Sequence, residues 1–261
     1  MTESDTGATD PFPGWDWEDP DGLAAMMDDF TASIAACETV ELVADTLPTT
    51  RDELAAAGIS GIEFAAFRTA HPNGLGTDIV PAHAAALTAE RGGLYRVNGT
   101  SFFTPLDIRD PLPFADGAVD WVYAEHLIEH VPMPVAVGWL REVHRVLAPG
   151  GLLRLTTPDL RTYVDGYAGT DFYLEHRTRL RDLQVGPPMP DRRAFMFNQI
   201  FYLYGHRWLY DEAELRYVLG RAGFEGDAMR VAALHDGSRP DVAGLDVAFR
   251  DDETIYVEVN R

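Results

Sequence analysis

The residues with the most chemical content stand close together in Ala124-Glu125-His126-Leu127-Ile128-Glu129-His130. They form H-x-x-E-H. On a helix this spacing puts two imidazoles on one face, as zinc requires, and leaves the glutamate to act as a base. Pro132 and Pro134 follow at once. Proline removes a backbone donor and restricts the residue before it, so a helix starting at Glu125 has room for only about two turns. Spacing identifies no third zinc ligand, and the expectation is no metal, with zinc hydrolysis a minor alternative. His130 reads as a packing histidine. His126 lies nearer the end of the preceding apolar run and is the candidate for contact with a substrate or its proton.

Other chemistry sits at the ends of apolar runs. Residues 61–67 read as a buried strand, and residues 76–80 as a second. A third ends at residues 106–108, a fourth covers 119–124 and a fifth 152–156. Between them the pattern predicts helices over 82–90 and 135–147. Strands alternating with helices through short turns argue for a parallel sheet covered on both faces. Ligands of such sheets bind beyond the carboxyl ends of the strands. There stand Glu63, Asp78, Asp107 and Glu125, each closing or following a strand. Carboxylates on one rim suit a ligand that offers hydroxyl and amino hydrogens, since charge-assisted hydrogen bonds contribute roughly 1.5–3 kcal/mol each.

The 261 residues allow one large domain with an appendage. Residues 1–19 read as a flexible acidic tail. Residues 20–58 read as N-terminal helices, with helical spacing from Leu23 to Cys37 and a capping box in Thr50-Arg51-Asp52-Glu53. Residues 59–261 form the main domain, interrupted by an aromatic-rich insertion over 159–210. Asp211 and Gly223 predict the two ends of a late helix, and strands follow near 229–234 and 254–259. Lys and Arg total 21 and Asp and Glu 42, a net charge of −21 that repels phosphate backbones and excludes nucleic acid as an expected partner. No apolar run approaches the roughly 20 residues of a membrane span, so no membrane partner is expected. The opening residues carry no basic, apolar leader pattern, and Cys37 is the only cysteine; both predict a cytoplasmic address. Oligomeric state is not legible.

Residues 106–160 carry an acid after the third strand, then Leu-Pro-Phe, Asp-Gly, Asp-Trp-Val-Tyr-Ala-Glu-His, Arg-Val-Leu-Ala-Pro-Gly-Gly and Thr-Pro-Asp-Leu. As a set they resemble the second half of a class I S-adenosylmethionine-dependent methyltransferase. The likeness continues through Gly205-His206-Arg207-Trp208-Leu209-Tyr210 into the late helix. It implies an α/β, Rossmann-like, doubly wound, seven-stranded, mostly parallel sheet, with the N-terminal helical preface and the insertion as additions. It also implies S-adenosylmethionine as cofactor. Asp78, with Ile79 beside it, maps to the ribose. Asp107 and Ile108 map to the adenine, and Ala124 and Glu125 to the methionine part. The family's glycine-rich first loop corresponds to Glu63-Phe64-Ala65-Ala66-Phe67, where alanine stands for glycine. At a positive φ that alanine costs about 1–2 kcal/mol.

The resemblance predicts methyl transfer to a small-molecule acceptor, with His126 or His206 as base and His206 and Tyr210 facing the substrate from the insertion. The aromatic run around residues 195–208 reads as core, with a lid as the rival. The competing function is a non-methylating chain of the same fold that serves as a binding subunit.

Overall fold

The computed structural model describes residues 39–66, 71–79, 83–84, 87–183, 190–202 and 204–261. The strands are β1 (Val40–Ala44), β2 (Gly61–Phe64), β3 (Gly74–Asp78), β4 (His83–Ala84), β5 (Leu87–Thr88), β6 (Leu94–Val97), β7 (Ser101–Pro105), β8 (Val119–Glu125), β9 (Leu147–Pro158), β10 (Arg230–Ala232) and β11 (Thr254–Asn260). Nine of them form one sheet in the order β1-β6-β7-β3-β2-β8-β9-β11-β10. The central strands β7, β3, β2, β8 and β9 run parallel, and both flanks are antiparallel. β2 is buried along its whole length, which is why it reads as a continuous run and not as an alternation.

From β2 the chain builds β3 and β7 on one side and then crosses back to β8 and β9 on the other. The strand order therefore reverses between β2 and β8. At such a switch point the connections leave in opposite directions and open a crevice beyond the carboxyl ends.

Helices α1 (Arg51–Ala56), α2 (Met133–Val146), α3 (Leu160–Ala168), α4 (Phe172–Leu183), α5 (Arg193–Tyr202), α6 (Glu212–Ala222) and α7 (Pro240–Ala243) complete the described residues. α1 starts with the reciprocal capping box expected at Thr50 and Glu53. α2 turns Trp139, Leu140, Val143 and Val146 onto the sheet, where they share one core with Leu215, Val218 and Leu219 of α6. The Trp139 ring meets Phe64 of β2 edge-on, with centroids 5.2 Å apart. On the other face Trp121, Tyr123 and Leu152 pack with Val242 of α7 and Leu245. Trp121 lies so close over Gly61 that a Cβ there would come within 2.1 Å of the indole. No helix among the described residues is long and apolar enough to cross a membrane.

Several sequence expectations change. The sheet has nine strands, not seven, because β6 and β1 extend the β7 edge in antiparallel fashion. β1 lies in the stretch read as purely helical: Val40 and Leu42 alternate with Glu41 in a short strand paired to β6. The helix expected over 82–90 is replaced, in its described residues, by the β4–β5 antiparallel ladder, since a pairing partner overrides alanine's helix propensity. The helical spacing expected from Leu23 to Cys37 and the acidic tail lie outside the described residues. The insertion folds into α3, α4 and α5 around Tyr163, with Met196, Ile200 and Leu209 buried beside it. Its aromatic run is therefore mostly a second small core.

Arg154 in β9 is wholly buried. Its five N–H donors are all used: Nε and Nη2 on Asp246 at 2.8 and 2.5 Å, Nη1 on Glu258 at 2.9 Å, and the remaining hydrogens on the carbonyls of Asp236 and Ala233. The guanidinium thereby ties loop 233–246 and β11 to β9. Arg154→Met would leave the buried Asp246 carboxylate without its cation and Glu258 with Arg230 alone. A loss of about 3–5 kcal/mol is expected in urea unfolding, since one partner of a buried pair has been removed. A change under about 1 kcal/mol would contradict the role given to this network.

Candidate functional site

Register alone brings the rim together. Phe64 of β2 stands opposite Thr77 of β3 and Ala124 of β8, and Asp78 stands opposite Pro105 of β7. Beyond these pairs the Ala66 N–H donates to the Thr77 carbonyl at 3.0 Å and the Leu106 N–H to the Asp78 carbonyl at 3.0 Å. Ala65, Asp78, Ile79, Asp107, Ile108, Ala124 and Glu125 are therefore neighbours on one edge, at the switch point. Glu63 lies one residue inside the end of β2 and is buried. Ile79 is 60% exposed, an apolar side chain standing open beside the half-buried Asp78.

The rim acids are not equivalent. Asp107 is buried and accepts from Arg109 through both oxygens, with Nε at 2.9 and 3.0 Å and Nη2 at 2.5 Å. These bonds hold its carboxyl below the usual range, against the opposing effect of burial. Glu125 accepts from the Tyr123 hydroxyl at 2.9 Å, and burial pushes its carboxyl up.

Backbone strain marks both sides of the crevice. Ala65, directly after β2, has φ +55°, and His126, directly after β8, has φ +47°. Left-handed conformations in non-glycine residues are costly and collect where a surrounding structure over-determines them. At Ala65 this is the conformation for which the family's glycine is suited.

The three residues expected to handle substrate, His126, His206 and Tyr210, do gather, but around Glu129. The expected helix is absent: Ile128–His130 is a single 3₁₀ turn, so His126 and His130 do not share a helix face. The His126 side chain is buried, with Nε2 2.8 Å from the Thr254 hydroxyl and Nδ1 3.5 Å from Glu129 Oε1. Tyr210 is fully buried, and its hydroxyl has no hydrogen-bond partner among the described residues. Both side chains are buried here, whereas the sequence predicts that they face the cleft. Burial holds His126 well below its ordinary value. Burial and then the neighbouring His130 push His206 down to about 3. Burial thus favours the neutral form of both imidazoles. Glu129 is wholly buried, which raises its carboxyl to about 8. The contribution of Glu129 and His130 was present in the motif. That of His206 was not, because nothing local says that its loop returns to this turn.

Residues 55–155 match the family model described as a methyltransferase domain. This stretch is similar to the domains of class I S-adenosylmethionine-dependent methyltransferases. An uncharacterized methyltransferase of Mycobacterium sp. (strain JLS) is 32% identical over 154 residues, 58% of this chain and 54% of the relative. Another, from Mycobacterium leprae (strain TN), is 35% identical over 132 residues, 46% of this chain and 45% of the relative. The chain thus spans about half the length of the relatives it matches. A solved S-adenosylmethionine-dependent methyltransferase from Mesorhizobium loti aligns with a TM-score of 0.40 at 16% identity, covering 80% of this chain and 96% of that one.

The methyltransferase domain fits the family's cofactor at the places the rim exposes. Ala65 is exposed and Ala66 half-buried, so the turn after β2 brings only methyl groups to the crevice and its backbone can be approached. Phe67 lies outside the described residues. Replacing Ala65 by glycine relieves about 1–2 kcal/mol of strain and costs roughly 0.4–1 kcal/mol in unfolded-chain entropy. Ala65→Gly should therefore stabilise the domain by about 0–1.6 kcal/mol in thermal or urea unfolding. A clear destabilisation would show that the left-handed turn is not the resting conformation.

Proposed function

We propose that this chain transfers the methyl group of S-adenosylmethionine to a small-molecule acceptor. The observation that carries the reading is the row of residues at the switch point, Ala65, Asp78, Asp107 and Glu125, set on one edge by the parallel register of a methyltransferase domain.

When bound, the cofactor supplies a methyl group already activated by its sulfonium. The residues of this chain bind and orient. Asp78 can accept two hydrogen bonds from the ribose diol, with Ile79 offering apolar cover beside it. Asp107, fixed by Arg109, presents a carboxylate whose orientation no longer costs side-chain entropy, and Ile108 lies next to the adenine position. Ala124 leaves room for the methionine part, and Glu125 places a carboxyl there for its amino group. The insertion stands beside this edge, with Trp208 and Tyr202 partly exposed for an apolar acceptor. Holding the acceptor in line is sufficient chemistry, because positioning alone supplies effective molarities of about 10⁵–10⁸ M. The acidic chain disfavours a polyanionic acceptor. The lone Cys37 supports a reducing, cytoplasmic setting as part of the same proposal.

A second reading, a binding subunit that keeps the fold without methyl transfer, is favoured by the strained Ala65 and by the arginine already seated on Asp107. Calorimetry separates the two. S-adenosylmethionine and S-adenosylhomocysteine should bind the wild type, and Asp78→Ala should weaken both at least tenfold. Absence of heat at millimolar ligand, or equal affinity in the variant, would remove the enzymatic reading.

A further inference from the structure

Glu129 is 0% exposed and its two carboxylate oxygens have unequal surroundings. Oε2 accepts from the Thr157 hydroxyl at 3.1 Å. Oε1 has no hydrogen-bond partner among the described residues. A buried carboxylate oxygen left this way is expensive, and such groups mark a missing proton, water or ion.

The neighbour of Oε1 sharpens the question. The Thr254 hydroxyl has one hydrogen, which it donates to the Arg250 carbonyl at 2.6 Å. At its 2.8 Å contact with His126 it must therefore accept, so the proton of His126 sits on Nε2. Nδ1 then turns a lone pair toward Oε1 at 3.5 Å. With Glu129 ionised, two acceptors would face each other with no hydrogen between them, so Oε1 calls for a proton or a cation.

Two histidines complete the surroundings. The amides of Arg207 and Trp208 donate to the Glu129 carbonyl at 2.6 and 3.2 Å, which pins the loop carrying His206 against the Glu129 turn. His206 Nδ1 donates to the Ile200 carbonyl, leaving Nε2 as a lone pair. One ring nitrogen of His130 donates to the Tyr204 carbonyl, leaving the other free to ligate. A carbonyl that fixes the tautomer and aims the opposite nitrogen is how metal-binding histidines are held. The two rings meet edge to face, 4.7 Å between centroids. One ligand atom each from Glu129, His130 and His206 lies within 4.8 Å of the others.

We propose that Glu129 Oε1, His130 and His206 bind one first-row divalent transition-metal ion. Two imidazoles and a carboxylate suit zinc and its neighbours better than magnesium, which prefers oxygen alone. At metal–ligand bonds of about 2.0–2.2 Å the three atoms would stand roughly 3.3 Å apart, so modest side-chain rotation closes the set. His130 opens to solvent while Glu129 forms the floor, so the ion has an entry path and keeps at least one position outside the protein. The Arg250 guanidinium acts against a cation here, and the carboxyl of Glu253 acts for it. The turn follows β8 directly, beside the cofactor rim. An oxygen atom of the acceptor would take the open position. That last clause rests on the methyl-transfer reading, but binding of the ion does not.

The test uses the full chain without a histidine tag, stripped with EDTA and desalted, then titrated with Zn²⁺ in a calorimeter and with Co²⁺ by visible absorption. One equivalent should bind with Kd at or below about 1 µM, a range typical of a three-ligand protein site. His130→Ala, His206→Ala and Glu129→Gln should each weaken Zn²⁺ binding at least tenfold and alter the Co²⁺ spectrum. His130 is exposed, so its variant should keep the wild-type circular dichroism. No Zn²⁺ binding by the wild type at about 100 µM, or equal binding by a folded His130→Ala, would overturn the site. An equally strong response to Mg²⁺ would overturn the imidazole ligands. Zn²⁺ is titrated without S-adenosylmethionine, so failure here and failure of cofactor binding are separate results.

Discussion

Parallel strands in register must end together, and that constraint underlies the rest of this structure. β7, β3, β2, β8 and β9 all deliver their carboxyl ends to one edge. The reversal of strand order between β2 and β8 then opens that edge at one place. No side chain had to be moved to assemble Ala65, Asp78, Asp107 and Glu125; pairing of Phe64 with Thr77 and Ala124 does it. The anchoring of β9 through the buried Arg154 keeps the last of these strands fixed against β11 on the far side.

Charge on the rim is graded by local partners. Asp107 is buried, yet its carboxyl is held low because Arg109 grips both oxygens. The half-buried Glu125 and the wholly buried Glu129 are pushed the other way, since desolvation penalises the charged form more than Arg250 compensates. The crevice therefore presents an ionised carboxylate, Asp107, after β7 and carboxyls that favour the proton around β8. Strain follows the same division. The two left-handed residues after β2 and β8 face each other across the switch point. There the chain must turn sharply away from the sheet while the strand before it stays fully paired.

The insertion supplies what the sheet alone lacks. α3, α4 and α5 make their own core around Tyr163, whose hydroxyl meets Glu253 just before β11. His176 reaches Asp252 in the same turn at 2.9 Å. These contacts fix the insertion to the ligand edge. The return of the chain along residues 205–210 then lays two backbone amides on the Glu129 carbonyl. The rim at the carboxyl ends of the strands is joined in this way to a histidine-rich turn after β8.

Much of this was legible in the residues. Continuous apolar runs marked the parallel strands. Thr50 with Glu53 marked a helix start, and Asp211 with Gly223 both ends of another. The rim acids could be named because each stands at or near the end of a strand. Such signals are local: a strand, a cap or a turn is decided within a few residues by propensity and period. β1 and β6, the antiparallel flank of the sheet, were missed, because their pairing is decided by a distant partner and not by their own pattern. The left-handed φ of Ala65 was missed as a value, since alanine by itself argues for the opposite sign. The partners of Arg154 lie 92 and 104 residues away in the chain. The meeting of His206 with Glu129 likewise required a whole helical insertion to fold back. Sequence by itself determined which segments become strands and which chemistry stands at their ends. Tertiary structure alone decided which distant groups share a buried space. There burial sets the protonation of Glu129 and His206, because the cost of a charge depends on what surrounds it and not on where it falls in the chain.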